Sequence, residues 1–203
     1  MSDLKPKRGR PASIDADAAM DIMVELFRNK GFAAVSLDDL SSATGLSRPS
    51  LYRAFGNKVQ MYVGAMDAFG VQVAKEAAPK LFETDDVQVS LTRFFDAMLE
   101  IYFRDSEVTP GCLVFGTAPS AAEEAAVQER LQFGIEQTDN LMRSRFKQSA
   151  PNSDAGQIQI AVELASNTLI AFSARAKGGA SRAELSEIGA NGARAIATVL
   201  AQL

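Results

Sequence analysis

From Ala19 onward the apolar residues recur at intervals of three and four, and that period runs through nearly the whole chain. Ala19, Ile22, Met23, Leu26 and Phe27 share one face of a helix over residues 15–30. Val59, Tyr62, Val63, Met66, Phe69 and Val73 do the same from residue 57 to about 78. Beyond Pro79, Val87, Leu91, Phe94, Phe95, Met98, Ile101 and Tyr102 form a wide stripe. Pro110, Gly111, Gly116 and Pro119 bracket a short apolar piece, 112–115, and helical patterns resume over 121–148, 154–176 and 181–202. No window alternates in the two-residue period of a half-buried strand. The spacing predicts an all-α fold.

The N-terminal third carries sharper punctuation. Gly31 is a helix stop signal. Ser36, with Asp39 three residues on, matches a capping box that opens a helix over 36–44. Gly45 suits a turn needing positive φ. Ser47 is the next N-cap, with Pro49 in the first turn where a missing N–H matters little. That helix reaches about Phe55, Gly56 ends it, and Asn57 caps the long helix that follows. Two short helices joined by a tight glycine turn have the spacing of a helix-turn-helix. Leu37, Leu40, Ala43, Leu46 and Leu51 supply the contacts between them, and Arg48, Ser50, Tyr52 and Arg53 remain outside. A helix so presented enters the major groove of DNA, but the same spacing serves two packed helices of any all-α protein.

Composition removes most chemistry. Among 203 residues there is no histidine and one cysteine, Cys112, so imidazole bases, His-ligated metals, CxxC sites and internal disulfides are excluded. No catalytic constellation stands out, and no metal or cofactor is expected. No apolar run approaches the roughly 18 residues of a membrane span, and the basic N-terminus lacks a secretory apolar stretch, so a cytoplasmic protein is expected. Charge is uneven: residues 1–60 hold nine basic and seven acidic side chains, whereas the remainder holds 12 and 18. A basic front on an acidic body fits a polyanion-binding headpiece.

Residues 31–66, GFAAVSLDDLSSATGLSRPSLYRAFGNKVQMYVGAM, resemble the DNA-binding domain of the TetR family. The marks are Gly31-Phe32, then Ser36-x-x-Asp39-Leu40, Ala43-x-Gly45-Leu46-Ser47, Leu51-Tyr52-x-x-Phe55, and Lys58 three residues later. Pro110-Gly111-Cys112-Leu113 also resembles a segment seen in many members. The resemblance implies an all-α homodimer: three N-terminal helices bind DNA, a fourth links to the body, and the rest forms a ligand pocket and dimer interface. It implies a basic arm over residues 1–12, a headpiece over 13–56, a linker helix over 57–78 and a regulatory and dimerisation domain over 79–203. Tyr52 and Lys58 match positions that commonly touch the DNA backbone.

Residue chemistry adds further candidates. Ser36 and Ser47 sit at helix N-termini suited to phosphate, though Ser47 serves equally as a plain cap. Arg48 is the candidate base reader, because a guanidinium can hold guanine O6 and N7 together; a phosphate contact is its alternative. Ser50 is short and ambiguous, and Pro49 offers only apolar contact. Arg8 and Arg10, in an Arg-Gly-Arg-Pro run, suit the narrow minor groove of A/T-rich DNA, or merely a solubilising tail.

In the body, Phe94, Phe95, Met98 and Tyr102 are pocket candidates, with Phe103, Phe115 and Phe133, although aromatic residues at helical spacing more often build a core. Cys112 fits a passive, buried, ligand-adjacent thiol better than a reactive one. The last two helices are expected at the dimer interface, with Ala161, Ala165, Gly189, Gly192 and Ala193 permitting close approach. Leu169, Phe172, Leu185, Ile188, Ile196 and Val199 would supply the apolar surface there. The function expected is a non-enzymatic, homodimeric repressor that leaves a palindromic operator when a small-molecule effector binds. The alternative is a TetR-like co-activator that binds a protein partner without operator DNA.

Overall fold

A computed structural model describes residues 15–104, 109–151 and 154–201. The described residues are helical, with no strand among them. The α-helices are α1 (Ala16–Ala34), α2 (Leu37–Thr44), α3 (Arg48–Phe55), α4 (Lys58–Glu76), α5 (Val87–Tyr102), α6 (Leu113–Thr117), α7 (Ala125–Ser149), α8 (Ala155–Lys177) and α9 (Arg182–Ala201). Short 3₁₀ turns at Ala78–Phe82 and Ala118–Ala121 join α4 to α5 and α6 to α7.

Local chemistry sets the first four helices. Asp15 caps α1 by accepting from the Ala18 N–H at 3.1 Å. The backbone leaves helical geometry at Gly31, where φ is 75° and ψ is 170°, values an L side chain resists. Ser36 and Asp39 form the full capping box of α2. Asn57 and Gln60 form a second, each side chain accepting from the other's backbone N–H, at 2.9 and 2.8 Å. Pro79 ends the α-helical run of α4 and leaves only a 3₁₀ turn. The helix expected from residue 121 instead starts at Ala125, after the second 3₁₀ turn.

Long-range packing sets the body. α5 lies against α9 and α9 against α8, α7 packs on α8, and α1 packs along α4. The small residues of α8 and α9 serve this core and not an outer face. Ala161, Ala165 and Ala193 are fully buried, as are Phe172, Leu185 and Ile196, and Leu169 nearly so. A Cβ on Gly189 would lie 2.9 Å from Phe172 and 3.1 Å from Phe95. Most of the interface residues expected from the sequence are therefore interior to one subunit; Gly192, Ile188 and Val199 are half-buried. The apolar side chains that α8 leaves exposed are Ile160, Leu164 and Ile170.

Two buried arginines stitch distant segments. Arg145 of α7 is 1% exposed; it donates to Ser90 Oγ at 3.2 Å, to the Thr84 and Asp85 carbonyls at 2.9 and 3.0 Å, and to Ser149. Arg28 of α1 donates to the Gly111 carbonyl at 3.2 Å, the Tyr102 carbonyl at 3.3 Å and Glu25 at 2.6 Å. Its guanidinium also lies 5.4 Å from the Phe69 ring centre.

Candidate functional site

The helix-turn-helix is α2, the Gly45-Leu46 turn and α3. Gly45 adopts φ 70°, ψ 6°, a left-handed geometry that reverses the chain cheaply. Leu40 and Leu51 are fully buried at the centre of the unit. Their burial fixes which side of α3 faces out: Arg48, Pro49, Tyr52 and Arg53 are exposed, and Ser50 is half-buried.

The polar groups of this face are tied together locally. Ser47 caps α3, accepting from the Ser50 N–H at 3.3 Å, and its hydroxyl donates to Ser50 Oγ at 3.0 Å. Arg48 is held by Asp38 through two bonds, Nε to Oδ1 at 2.9 Å and Nη2 to Oδ2 at 2.5 Å. The pair is open to solvent, so a competing acceptor can displace Asp38 at small cost. Lys58 stands at the start of α4 with its ammonium 4.5 Å from the Phe32 ring centre. At the α2 N-terminus, Ser36 is committed to Asp39 by its backbone N–H and by its hydroxyl. The Lys30 ammonium, 2.6 Å from Asp39, and the Ser36 bonds hold that carboxyl well below the usual range. A carboxylate thus already occupies the α2 N-terminus where a phosphate was expected. Arg8 and Arg10 lie outside the described residues.

A second feature lies in the body. A cavity of about 600 Å³ opens between α4, α5, α6, α7 and α8, within the usual size of small-molecule sites. Phe94, Met98, Cys112, Phe115 and Phe133 line it. Phe95 and Tyr102 do not. The Phe95 ring packs 5.5 Å from that of Phe172, turned toward α8. Tyr102 lies one turn past Met98 and is buried, its hydroxyl without a hydrogen-bond partner and pushed well up by desolvation. Phe103 is also absent from the wall.

The sequence patterns did not single out four contributors to this wall. α4 supplies Phe69 and Val73 as wall, and Asp67 and Arg130 form an ion pair across α4 and α7. Pairing over 63 positions leaves no local signature. Cys112 caps α6, its Sγ accepting from the Phe115 N–H at 3.4 Å, and burial pushes its thiol up, which disfavours a reactive thiolate. The same short helix is joined to α4: Tyr62 Oη and Thr117 Oγ1 are 2.6 Å apart, and burial raises the Tyr62 phenol to about 12.

A capped helix-turn-helix at the end of an all-helical body, with a cavity bordered by the helix that joins them, defines the class: a helix-turn-helix regulatory protein. Residues 20–65 match the family model for bacterial regulatory proteins of the tetR family. Over those residues the chain carries the N-terminal domain of the TetR family, a family of transcriptional regulators.

It is 32% identical over 123 residues to the HTH-type transcriptional repressor ComR of Escherichia coli (strain K12), covering 60% of this chain and 58% of ComR. It is 35% identical over 71 residues to the HTH-type transcriptional repressor BdcR of the same organism, covering 35% of this chain and 34% of BdcR. The chain thus spans less than two thirds of these relatives' lengths. Among solved structures, a cysteine mutant of the TetR family transcriptional regulator CifR, complexed with 26-base-pair double-strand operator DNA, shares the fold at TM-score 0.80. That likeness has 23% identity and covers 92% of this chain and 99% of the other. Among the described residues no helix is long and apolar enough to cross a membrane.

Proposed function

We propose that the protein is a homodimeric transcriptional repressor that binds a palindromic operator and leaves it when a small molecule fills the body cavity. The observation that carries this reading is the outward face of α3. Leu51 is fully buried on one side, while Arg48, Pro49 and Tyr52 are exposed on the other. ComR and BdcR are named repressors, and CifR was solved on operator DNA, which supports the same role here.

In this reading the headpiece is residues 13–56, α4 is the link within 57–78, and the body is 79–203. Tyr52 and Lys58 hold phosphates, as does Ser47 at the start of α3, and Arg48 exchanges Asp38 for a guanine edge. Pro49 and Ser50 touch bases beside it. Arg8 and Arg10 of the 1–12 arm enter the minor groove. The exposed α8 stripe of Ile160, Leu164 and Ile170 meets its copy across a two-fold axis. Two headpieces then face half-sites about 34–36 Å apart, or a multiple of that.

Effector binding draws on two ties around α6, which borders the cavity: Tyr62 of the linker helix to Thr117, and Arg28 of the headpiece to Gly111. An effector that favours the DNA-incompetent arrangement weakens DNA by the same factor that DNA weakens the effector.

The test is footprinting of the purified protein on genomic DNA at several salt concentrations. A protected palindrome whose affinity falls steeply with salt is expected. On that site Arg48→Ala should lose roughly 5- to 150-fold and relax one base-pair preference. Lys58→Ala should weaken all sequences evenly and lower the salt slope by about one. No salt-dependent DNA binding at any concentration would favour the partner-binding co-activator instead.

A further inference from the structure

The cavity wall is mostly apolar: Gln137 and Thr138 are its uncharged polar side chains, Thr138 donating to the Gly134 carbonyl at 2.9 Å, and one pair is charged. Arg130 enters from α7, and its Nε is spent on Asp67 of α4. Its Nη1 is buried and has no hydrogen-bond partner. The guanidinium is held from three directions: its Cζ lies 4.7 Å from the Phe133 ring centre, and two glycines make room for it. A Cβ on Gly70 would lie 3.2 Å from Nη2, and one on Gly134 would lie 3.7 Å from Nη1 and 3.0 Å from Val114. Leaving such a donor unmet costs free energy, so the group favours an occupant that supplies an acceptor.

Charge decides which acceptor. Arg130 is already neutralised by Asp67, and no other charged side chain lines the cavity. A carboxylate brought in would leave one uncompensated negative charge against an apolar wall. An uncharged oxygen meets the same N–H without that penalty. We infer that the cavity takes an uncharged, apolar small molecule bearing a carbonyl-type oxygen, which Arg130 Nη1 reads. The inference rests on the reading of this cavity as the effector site and specifies its ligand class.

Three near-isosteric probes test it on the full chain by titration calorimetry: 2-acetylnaphthalene, 2-ethylnaphthalene and 2-naphthoate. The acetyl compound should bind about tenfold more tightly than the ethyl compound, the worth of one hydrogen bond to a charged donor, and more tightly than naphthoate. Arg130→Met should abolish the acetyl-over-ethyl preference while leaving ethylnaphthalene affinity unchanged, which also shows that the variant is folded. Asp67→Asn, which leaves the guanidinium charge uncompensated, should move the preference toward naphthoate. Binding of the ethyl compound as tightly as the acetyl compound, or of naphthoate more tightly than both, overturns the ligand class and leaves the effector site standing. Binding of none of the three removes the effector site and this inference with it.

Discussion

The headpiece and the body hold their polar groups in opposite ways. From α2 to the start of α4, bonds run between near neighbours: Ser36 to Asp39, Ser47 to Ser50, Asn57 to Gln60, and Arg48 to Asp38 ten positions away. In the body the buried ones run between distant segments, as from Arg145 to Ser90 over 55 positions and from Cys112 to Ser173 over 61. Short-range bonds can form before the chain has folded and remain wet afterwards. Long-range ones exist only once the core has closed, and their groups are dry. Losing a partner is therefore cheap in the first region and costly in the second.

Arg145→Met gives the largest test. The buried Ser90 hydroxyl and the part-buried Thr84 and Asp85 carbonyls lose their donor, and a loss of about 3 kcal/mol in urea unfolding is expected. A loss below that of the headpiece cap variant Ser36→Ala would break the contrast. Gly189→Val comes second: the added Cβ meets Phe172 and Phe95, and overpacking should cost about 2 kcal/mol by the same measurement. Unchanged stability would mean that α9 slides freely along α5. Third, Ser36→Ala removes a solvent-exposed N-cap and should cost about 1 kcal/mol.

The smallest effect is a pH dependence. Lys30 and Ser36 depress the Asp39 carboxyl in the folded state, so Asp39 binds its proton more readily when unfolded. Its contribution is complete above the unfolded pKa, near 4, and drains away as pH falls through the lower folded value. Asp39→Asn should reduce the gap between urea midpoints measured at pH 7 and pH 3. An unchanged gap would assign the acid sensitivity to other carboxylates.

The same division governs what the sequence disclosed. The boundaries of α2, α3 and α4 follow from Ser36, Gly45, Ser47, Gly56 and Asn57, each acting within a turn of its own position. Leu40 and Leu51 were legible as the inside of the unit for the same reason, since helical period alone places them. In the body the period separated buried from exposed without saying buried against what. Phe94 and Phe95 are adjacent in one stripe, yet one faces the cavity and the other faces Phe172. The small residues of α8 and α9 read as an intersubunit surface because tight packing looks alike within and between chains. Nothing in the sequence pattern singled out Arg28, Arg130 or Arg145, since the acceptors that draw them inward come from elsewhere in the chain.

Arg28 also bears on how this molecule could be recombined. It sits in the first helix of the headpiece, but its acceptors at Gly111 and Tyr102 belong to the body. A hybrid made by grafting another headpiece at the Gly56–Asn57 junction would exchange Arg28 while keeping those two carbonyls. Unless the donor headpiece carries an arginine at that place, the graft strands the Gly111 carbonyl beside Cys112, leaves the Tyr102 carbonyl to Thr109 alone, and cuts a tie between the body and the DNA-facing helices. The seam for transplanting DNA specificity therefore lies within α1, after Arg28, and not at the end of α3.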